Sequence, residues 1–464
     1  MPECFSIPSD EVENRIDPHF YRPAFIQFYQ QLEKTQFELK TIGEIAEKVT
    51  SGATPLSHGD AYTSKEEGIP FIRSGDINED KNINFDEVLY IKENTHNKLL
   101  KGSKLKKGDV LIAIVGATIG QVSIYDYDKE ANINQAIALV RLKQEINPEY
   151  IKAFMISTLG QKQLDRIKRP VARANINLDE IRGIKIILPS LTIQNKIVAL
   201  MDNAYKEQKN KENKIAEFLD SINDYVLDEL GIKLPELKDK MIYAISFDRL
   251  QNKRADAYYY QPKFEEVERA VREGKFEVKE LKEYITKIHY GASVKNEYID
   301  EGIPLLRIMN LKPNKFDLRD VVKLPETMKK ELGNAFVKEG DLLISRSGTV
   351  GVVSVVPKEA EGFAFGSFMI EFCLNEKVNK NYISAWLNTK LQKLLTERDK
   401  IGAIQGNITI ETIENFKIPL PPLAVQNKIA EEVIKQMQKA EQLQKESKEE
   451  LRKVKMEVEK IILG

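Results

Sequence analysis

Cysteine and histidine are scarce in this chain of 464 residues. The two cysteines, Cys4 and Cys373, lie far apart and give no disulfide framework, so we expect a protein of the reducing cytoplasm. The four histidines fall in no metal-ligand spacing, and we therefore expect no metal site. They are His19, His58, His96 and His289.

Long apolar runs and an excess of one charge are also missing. Without a run of about eighteen uncharged apolar residues, we expect no membrane span and no membrane partner. The first residues have neither a basic start nor an apolar centre, which argues against a secretory signal. Lys and Arg number 70 and Asp and Glu number 71, for a formal charge of −1. Any nucleic-acid contact must therefore come from local patches.

Signatures of catalysis are missing as well. The segments GATIG and SGTVG lack the Gly-Lys-Ser/Thr ending of a phosphate-binding loop and precede a strand, so we expect tight turns there. The spacing favours no Cys/His or Ser/His/Asp grouping. No Asn-Pro-Pro-aromatic or Asp-Pro-Pro-aromatic tetrapeptide is present to hold a flipped adenine. We therefore expect no catalytic residue and no cofactor bound by this chain.

The clearest feature that is present is an internal repeat. PSLTIQNKI begins at Pro189, and PPLAVQNKI begins 232 residues later at Pro421. Other landmarks pair in the same order. RIDPHFYRPAF (15–25) matches RADAYYYQPKF (254–264), GIPFIRSGDIN (68–78) matches GIPLLRIMNLK (302–312), and KKGDVLIAIVGATIG (106–120) matches KEGDLLISRSGTVG (338–351). The small drift in offset indicates a duplicated unit of roughly 230 residues with short loop insertions.

Each copy has two parts of different character. Residues 15–188 and 254–420 contain short β-branched runs between turn residues, followed by helical segments. This mixture is typical of an α/β or α+β domain, and the lack of regular βαβ alternation argues against a doubly wound fold.

Long helices are predicted after each of these domains. From Leu191 to about Leu230, and from Leu423 to about Ile461, the chain is charged and nearly free of Gly and Pro. Apolar residues recur at three- and four-residue steps, as in coiled coils, and ~40 residues would extend ~60 Å. We expect the two stripes to pack antiparallel on each other; the alternative is that each helix packs on its own domain. The predicted interface residues are Ile193, Ile197, Leu200, Ile215, Phe218, Ile222, Val425, Ile429, Val433, Met437, Leu451, Val454 and Val458.

The predicted fold class is therefore α/β (α+β), with a pseudo-two-fold internal repeat. Two similar globular domains are separated by two long antiparallel coiled-coil helices. The predicted boundaries are 1–188 for the first domain, 189–235 for the central long helix, 236–420 for the second domain and 421–464 for the C-terminal long helix.

The repeated motifs resemble those of the specificity subunits of type I restriction-modification systems. The resemblance rests on the R-x-D…Y-x-P openings at Arg15 and Arg254, the G-D-[VL]-L-I…G-x-x-G hairpins, and the L-P-x-L-x-x-Q-x-x-I segments that lead into both helices. Two copies of all three motifs cover nearly the whole chain. The copies differ at Val49–Tyr62 and Ile288–Tyr298, as expected if they read different DNA sequences.

The resemblance implies a DNA sequence-specificity subunit with two target-recognition domains. Each domain would read one half of a bipartite, asymmetric double-stranded DNA site. The helices would set the spacer and dock two methyltransferase (modification) subunits, with restriction/translocase subunits as further partners. S-adenosylmethionine, ATP and Mg would be bound only by those partners, which would also carry out DNA methylation. The alternative is a protein-interaction scaffold with two heads on a helical rod that never binds DNA.

Loops rich in small polar residues and bases supply the candidate DNA contacts, because Arg can pair with guanine and Asn or Gln with adenine. In the first domain these are Thr50, Ser51, Thr54, Ser57, Arg73, Ser74, Asn78, Arg169, Arg173 and Asn175. In the second they are Tyr290, Ser293, Lys295, Arg307, Asn310, Lys312, Arg346, Ser347, Gln405 and Asn407. A run of lysines between Lys98 and Lys107 could meet phosphates, but a solvated turn is the favoured interpretation.

Overall fold

In the computed structural model the chain forms two compact units. The first comprises Met1–Lys211 and Glu446–Gly464, and the second comprises Glu212–Lys445. The structure describes residues 5–8, 12, 15–56, 60–77, 83–85, 87–169, 174–250, 254, 256–295, 297–400 and 406–464, without the side chains of 248 and 249. Within the described residues, no helix is both long and apolar enough to cross a membrane.

The first unit combines short helices with small sheets. Its helices are α1 (Pro23–Leu32), α2 (Ile42–Ile45), α3 (Pro148–Ile156), α4 (Thr158–Ile167), α5 (Leu178–Arg182) and the beginning of α6 (Leu191–Leu230). Its strands are β1 (Glu38–Thr41), β2 (Ala46–Ser51), β3 (Tyr62–Thr63), β4 (Ile69–Ile72), β5 (Leu89–Ile91), β6 (Asp109–Ala113), β7 (Val122–Tyr125), β8 (Asn132–Ile133), β9 (Ile137–Leu142) and β10 (Lys185–Leu188).

The core of the first unit is an antiparallel sheet in the order β2-β9-β6-β7. Its central strands, DVLIA and IALVRL, are rich in β-branched residues and almost wholly buried, as expected for strands covered on both faces. A second sheet, β3-β5-β4-β8, contains the parallel pair β4 and β8. Strand β1 pairs with β10 at the start of α6.

The second unit repeats this plan. Its helices are α7 (Phe247–Leu250), α8 (Pro262–Arg272), α9 (Lys329–Leu332), α10 (Lys380–Leu387), α11 (Lys390–Asp399), α12 (Ile410–Glu414) and the beginning of α13 (Leu423–Leu463). Its strands are β11 (Val278–Glu280), β12 (Ile285–Tyr290), β13 (Ile303–Leu306), β14 (Leu311–Lys312), β15 (Lys315–Phe316), β16 (Val322–Leu324), β17 (Leu342–Ser345), β18 (Val353–Val355), β19 (Ala364–Phe365), β20 (Met369–Leu374) and β21 (Lys417–Pro419). The main sheet has the order β12-β20-β17-β18, which matches the first unit strand for strand.

The repeated sequence motifs make the same local contacts in both units. The backbone N–H groups of Lys106 and Lys338 donate to the carboxylates of Asp109 (2.7 Å) and Asp341 (2.8 Å), which closes the turn before β6 and β17. Beyond those strands, Gly116 and Gly348 have φ of +74° and +69°, a conformation that glycine tolerates best. The predicted tight turns at GATIG and SGTVG are thereby confirmed.

The R-x-D openings act as structural clasps. Arg15 pairs with Asp17 at 2.8 Å and donates to the carbonyl of Ile167 at the end of α4 (2.6 Å). Arg254 repeats the arrangement, with Asp256 at 2.7 Å and the carbonyl of Arg398 at 3.2 Å. The motif thus ties the start of each domain to its own helical layer.

In each duplicated nonapeptide, the glutamine stabilises the turn that leads into the long helix. The side-chain amides of Gln194 and Gln426 are buried and donate to the carbonyls of Pro189 and Pro421, both at 2.9 Å. The adjacent Asn195 accepts a bond from Asn147 at 3.0 Å, and Asn427 accepts one from Asn379 at 2.8 Å. These contacts join each helix to the N-terminus of α3 or α10 within its own unit.

The long helices run antiparallel inside each unit. In the first unit Lys211 of α6 pairs with Glu450 of α13, and Tyr205 meets Lys455 at 5.8 Å. In the second unit Glu229 pairs with Lys428 at 2.8 Å, and Phe218 meets Lys439 at 5.0 Å. In both units, later residues of α6 meet earlier residues of α13, which confirms the predicted antiparallel pairing.

The apolar stripe of each long helix packs on the globular domains as well as on the other helix. Ile197 and Val458 belong to the core of the first domain, and Ile222, Ile429 and Val433 belong to the core of the second. The remaining predicted interface residues are half-buried. Packing between helices and packing on the domains, weighed as alternatives from the sequence, therefore occur together.

Candidate nucleic-acid interface

Loops converge at one end of the main sheet in the first unit, where β2 and β6 end and β9 begins. We name residues 51–54, 114–120, 134–136 and 174–176 the first loop cluster. Gly52 N donates to Asn134 O (3.2 Å), Ile114 N to Ala136 O (2.9 Å), and Ile176 N to Ile114 O (3.0 Å). Backbone bonds therefore hold the four segments in fixed relation.

The second unit has the corresponding arrangement. We name residues 290–293, 346–351, 366–368 and 406–408 the second loop cluster. Arg346 N donates to Phe368 O (2.9 Å), Ile408 N to Arg346 O (3.1 Å), and Ser367 N to Ala292 O (2.8 Å). The first two bonds match those of Ile114, so Arg346 occupies the position of Ile114 in the repeat.

A glycine permits the close crossing of segments in each cluster. A Cβ atom at Gly52 would lie 1.6 Å from the carbonyl oxygen of Ile133, and one at Gly291 would lie 2.3 Å from that of Gly366. Both distances are far below a van der Waals contact, so the crossing requires glycine at these two positions.

Equivalent backbone positions carry unlike side chains in the two clusters. The buried Ile114 of the first is replaced by Arg346 in the second. Ser51 and Tyr290 occupy the last position of β2 and β12, opposite the second residue of β9 and β20. One scaffold therefore presents two different chemical surfaces.

The predicted arginines that the structure describes differ in whether they have a counter-ion. Arg73 pairs with the buried Asp76 (2.8 Å), and this hydrogen bond raises the pKa of Arg73. Arg169 pairs with Glu180 (2.9 Å) and Arg307 with Asp320 (3.3 Å). Arg346 has no carboxylate partner among the described residues.

Arg346 keeps most of its donor capacity. Its guanidinium lies 4.7 Å from the ring centre of Tyr290, and one N–H reaches the carbonyl of Ser367 at the outer limit of 3.5 Å. Its buried Nε has no hydrogen-bond partner in the described part of the chain. Phe368, whose backbone carbonyl accepts from Arg346 N, is 56% exposed and adds apolar surface beside it. An oriented guanidinium with free donors beside an aromatic ring suits a base edge or a phosphate.

Other predicted contacts lie at or near the clusters but are more constrained. Thr50 and Ser51 are half-buried on β2, while Thr54 is exposed and donates to the side chain of Gln135. Asn310 is buried and bonds the carbonyl of Asp317 (2.9 Å), so it shapes its turn. Exposed positions are Asn175, Ser293, Lys295 and Lys312; Ser74, Arg169 and Asn407 are half-buried and Ser347 is buried. Ser57, Asn78, Arg173 and Gln405 lie outside the described residues.

Sequence reasoning did not select Gln135, Ser367 or Phe368. They sit in INQAIAL and FGSFMI, just before buried strands, and the apolar pattern there indicates only the strand. A comparison of the two copies could have found them. Gln135 in the first copy corresponds to Ser367 in the second, and a position that differs in this way between two copies of one scaffold is not dictated by packing.

The chain belongs to the family described as the type I restriction modification DNA specificity domain, whose model matches twice, at residues 34–220 and 273–453. This membership supports the interpretation as a recognition subunit over that of a scaffold, and it makes the chain non-catalytic. The two matches also reproduce the internal repeat found in the sequence.

Individual proteins agree with this assignment. The chain is 24% identical over 462 residues to a protein named as the specificity subunit of the type I restriction enzyme MjaX, from Methanocaldococcus jannaschii, covering 94% of this chain and 97% of that one. It is 27% identical over 183 residues to the EcoBI specificity subunit of Escherichia coli, covering 39% and 38% of the two chains. A chain from a solved structure on the assembly and conformational transition of the type I R-M system aligns with a TM-score of 0.51 at 15% identity, over 92% of this chain and 96% of that one.

Proposed function

We propose that the chain selects a bipartite, asymmetric double-stranded DNA site, with each loop cluster reading one half. The observation that carries this proposal is the pairing of one scaffold with two side-chain sets, Ile114 and Ser51 in the first unit and Arg346 and Tyr290 in the second. Two readers with different surfaces recognise two different sequences, and joining them in one chain raises the affinity for a site that contains both.

Arg346 is the base-reading residue that the contacts favour most strongly. A free guanidinium can donate two bonds to guanine in the major groove, whereas arginines already bound to carboxylates must first break those bonds. The half-site read by the second unit is therefore expected to contain a guanine. In the first unit the side chains of Thr54 and Gln135 are the corresponding polar groups, and an amide is suited to adenine.

Partner subunits follow from the duplication. Leu191 (55% exposed) and Leu423 (45% exposed) open the two long helices at matched positions, directly after the repeated Leu-Pro segments. A surface that occurs twice can hold two copies of one partner. We assign these surfaces to two methyltransferase subunits, with restriction/translocase subunits joining the complex. S-adenosylmethionine, ATP and Mg would be bound by those partners in the cytoplasm.

The near-zero net charge leads to a further expectation about DNA affinity. A chain with a formal charge of −1 gains little from phosphate neutralisation, so its partners must supply much of the electrostatic attraction. We expect weak DNA binding by the chain alone and tight, sequence-selective binding by its complex with the methyltransferase.

A selection experiment tests the proposal. The chain, alone and with its methyltransferase subunits, is incubated with a library of randomised duplexes, and retained DNA is sequenced at several salt concentrations. The complex should enrich two short, unlike blocks at a fixed separation. A complex that retains duplexes without any common sequence would support the scaffold alternative instead.

A further inference from the structure

The second unit contains a polar cluster around the buried Glu371 that differs in composition from the matched rows of the first unit. It lies on one face of the three adjacent strands β12, β20 and β17. Lys287 is opposite Cys373 across β12 and β20, and His289 is opposite Glu371. On the other side, the thiol of Cys373 lies 3.1 Å from a carboxylate oxygen of Asp341, just before β17.

In the matched rows of the first unit, the buried carboxylate has a basic partner. There Lys48 is opposite Arg141, and Thr50 is opposite Leu139. Arg141 pairs with the buried Asp109 at 2.6 Å, so the carboxylate has its own guanidinium. The second unit keeps the aspartate but replaces Arg141 with Cys373 and the leucine with Glu371. One positive charge is thus lost and one buried negative charge is gained.

The basic side chains near Glu371 in the second unit both face one of its two oxygens. Lys287 lies 2.9 Å from Oε2 of Glu371, and the His289 ring contacts the same oxygen. The other oxygen, Oε1, has no hydrogen-bond partner among the described residues although Glu371 is completely buried.

The same side chains form a ligand set. One ligand atom from each of Asp341, Glu371 and Cys373 lies within 4.8 Å of the others. Glu371 and Cys373 are two residues apart on one strand and therefore point to the same face, while Asp341 approaches from the residue before β17. Carboxylate oxygens and a cysteine sulfur are ligands that Zn²⁺ accepts.

We propose that the second unit binds one divalent transition metal of the zinc class through Asp341, Glu371 and Cys373. The metal supplies positive charge to the two buried carboxylates and gives Oε1 of Glu371 a partner. The sequence gives no metal-ligand spacing, since Asp341 lies far from Glu371 and Cys373 in the chain.

Co²⁺ provides a direct spectroscopic test. Replacing Cys4 with serine leaves Cys373 as the single cysteine, so a thiolate-to-cobalt charge-transfer band in this C4S chain can come only from Cys373. We expect this band to saturate at one Co²⁺ per chain, with visible bands of a tetrahedral site, and Zn²⁺ to abolish it by displacement. Because this readout uses a chain with every proposed ligand intact, it does not depend on how well a ligand variant folds.

Variants then identify the carboxylate ligand. Glu371→Gln should weaken Co²⁺ binding at least about tenfold, whereas Asp109→Asn, at the position of the first unit that matches Asp341, should leave it unchanged. Failure of the C4S chain to develop the thiolate band, or a titration that E371Q does not alter, would overturn the proposal. The buried acids would then be balanced by a shared proton. Metal analysis of the purified chain provides the stoichiometry independently.

Discussion

The position of Arg346 tests base reading at the scale of a single residue. Replacing it with isoleucine installs the side chain that the first unit buries at the same place, so Arg346→Ile should fold as well as the native chain. Loss of a bidentate contact to guanine should reduce discrimination at one position of one half-site by about 1–3 kcal/mol, or about 5- to 150-fold. Sequencing of DNA selected by the variant complex measures this preference.

A matched arginine controls for the loss of charge. Arg319 is also in the second unit, but it is exposed and forms an ion pair with Asp317 (2.5 Å). Arg319→Ile should leave every letter of the selected motif unchanged. If the R346I complex selects the same motif as the native complex, the second loop cluster is not the reading surface.

The sequence predicts different residues with different success, for physical reasons. Chemical type alone cannot separate Arg346 from Arg73 and Arg307, because all three are arginines in polar loops. Only the fold shows that Asp76 and Asp320 already neutralise two of them. The glutamines of the repeated nonapeptides were visible as a pattern, but their bonds to Pro189 and Pro421 depend on the turn geometry.

At the scale of the element, the entry into α13 should be more sensitive than the entry into α6. Gln426 donates to Pro421 O and also accepts from Asn379 N at 2.8 Å, whereas Gln194 has the first bond and a buried side-chain oxygen with no described partner. Each lost buried hydrogen bond costs about 1–3 kcal/mol. Gln426→Ala should therefore lower the thermal unfolding midpoint more than Gln194→Ala.

The control for this comparison is the exposed Gln438 within α13. Its replacement by alanine removes no side-chain hydrogen bond among the described residues and favours the helix. Gln438→Ala should change the midpoint little in either direction. Equal losses for Q194A and Q426A would contradict the unequal hydrogen bonding.

The exposed leucines at the start of α6 and α13 test partner docking. Leu191→Glu and Leu423→Glu each place a charge on a surface that should be covered in the complex, so each should remove one of two methyltransferase subunits. Mass measurement of the assembled complex counts the subunits. Leu234→Glu, at a similarly exposed leucine just beyond α6, should leave two bound. Two bound subunits in the L191E/L423E double variant would rule out these surfaces.

The long helices themselves were the most predictable elements. Their apolar stripes, caps and lengths are local properties, and the observed Leu191–Leu230 and Leu423–Leu463 agree closely with the predicted ends. The loop clusters were less predictable because they depend on backbone bonds between segments far apart in the chain, such as Ile176 to Ile114. The proposed metal ligands could not be predicted from the sequence for the same reason.

At the scale of the whole molecule, helix length should set the spacer between half-sites. Seven residues inserted after Lys211 of α6, together with seven before Glu450 of α13, keep the apolar stripes in phase because the inserts are whole heptads. The inserts add ~10 Å of helix, equivalent to ~3 base pairs at ~3.4 Å each. The motif methylated by the complex should gain unread positions while both blocks keep their letters. New letters with an unchanged gap would exclude a ruler.

The central claim is that each duplicated domain reads its own half of one DNA site. It is tested most directly by exchanging residues 15–188 for the corresponding domain of another family member and sequencing methylated bases in cells that express the hybrid with its methyltransferase. The account predicts a bipartite motif in which one block changes while the other block and the gap are retained. A hybrid that folds and methylates with both blocks unchanged, or with both replaced, would contradict it.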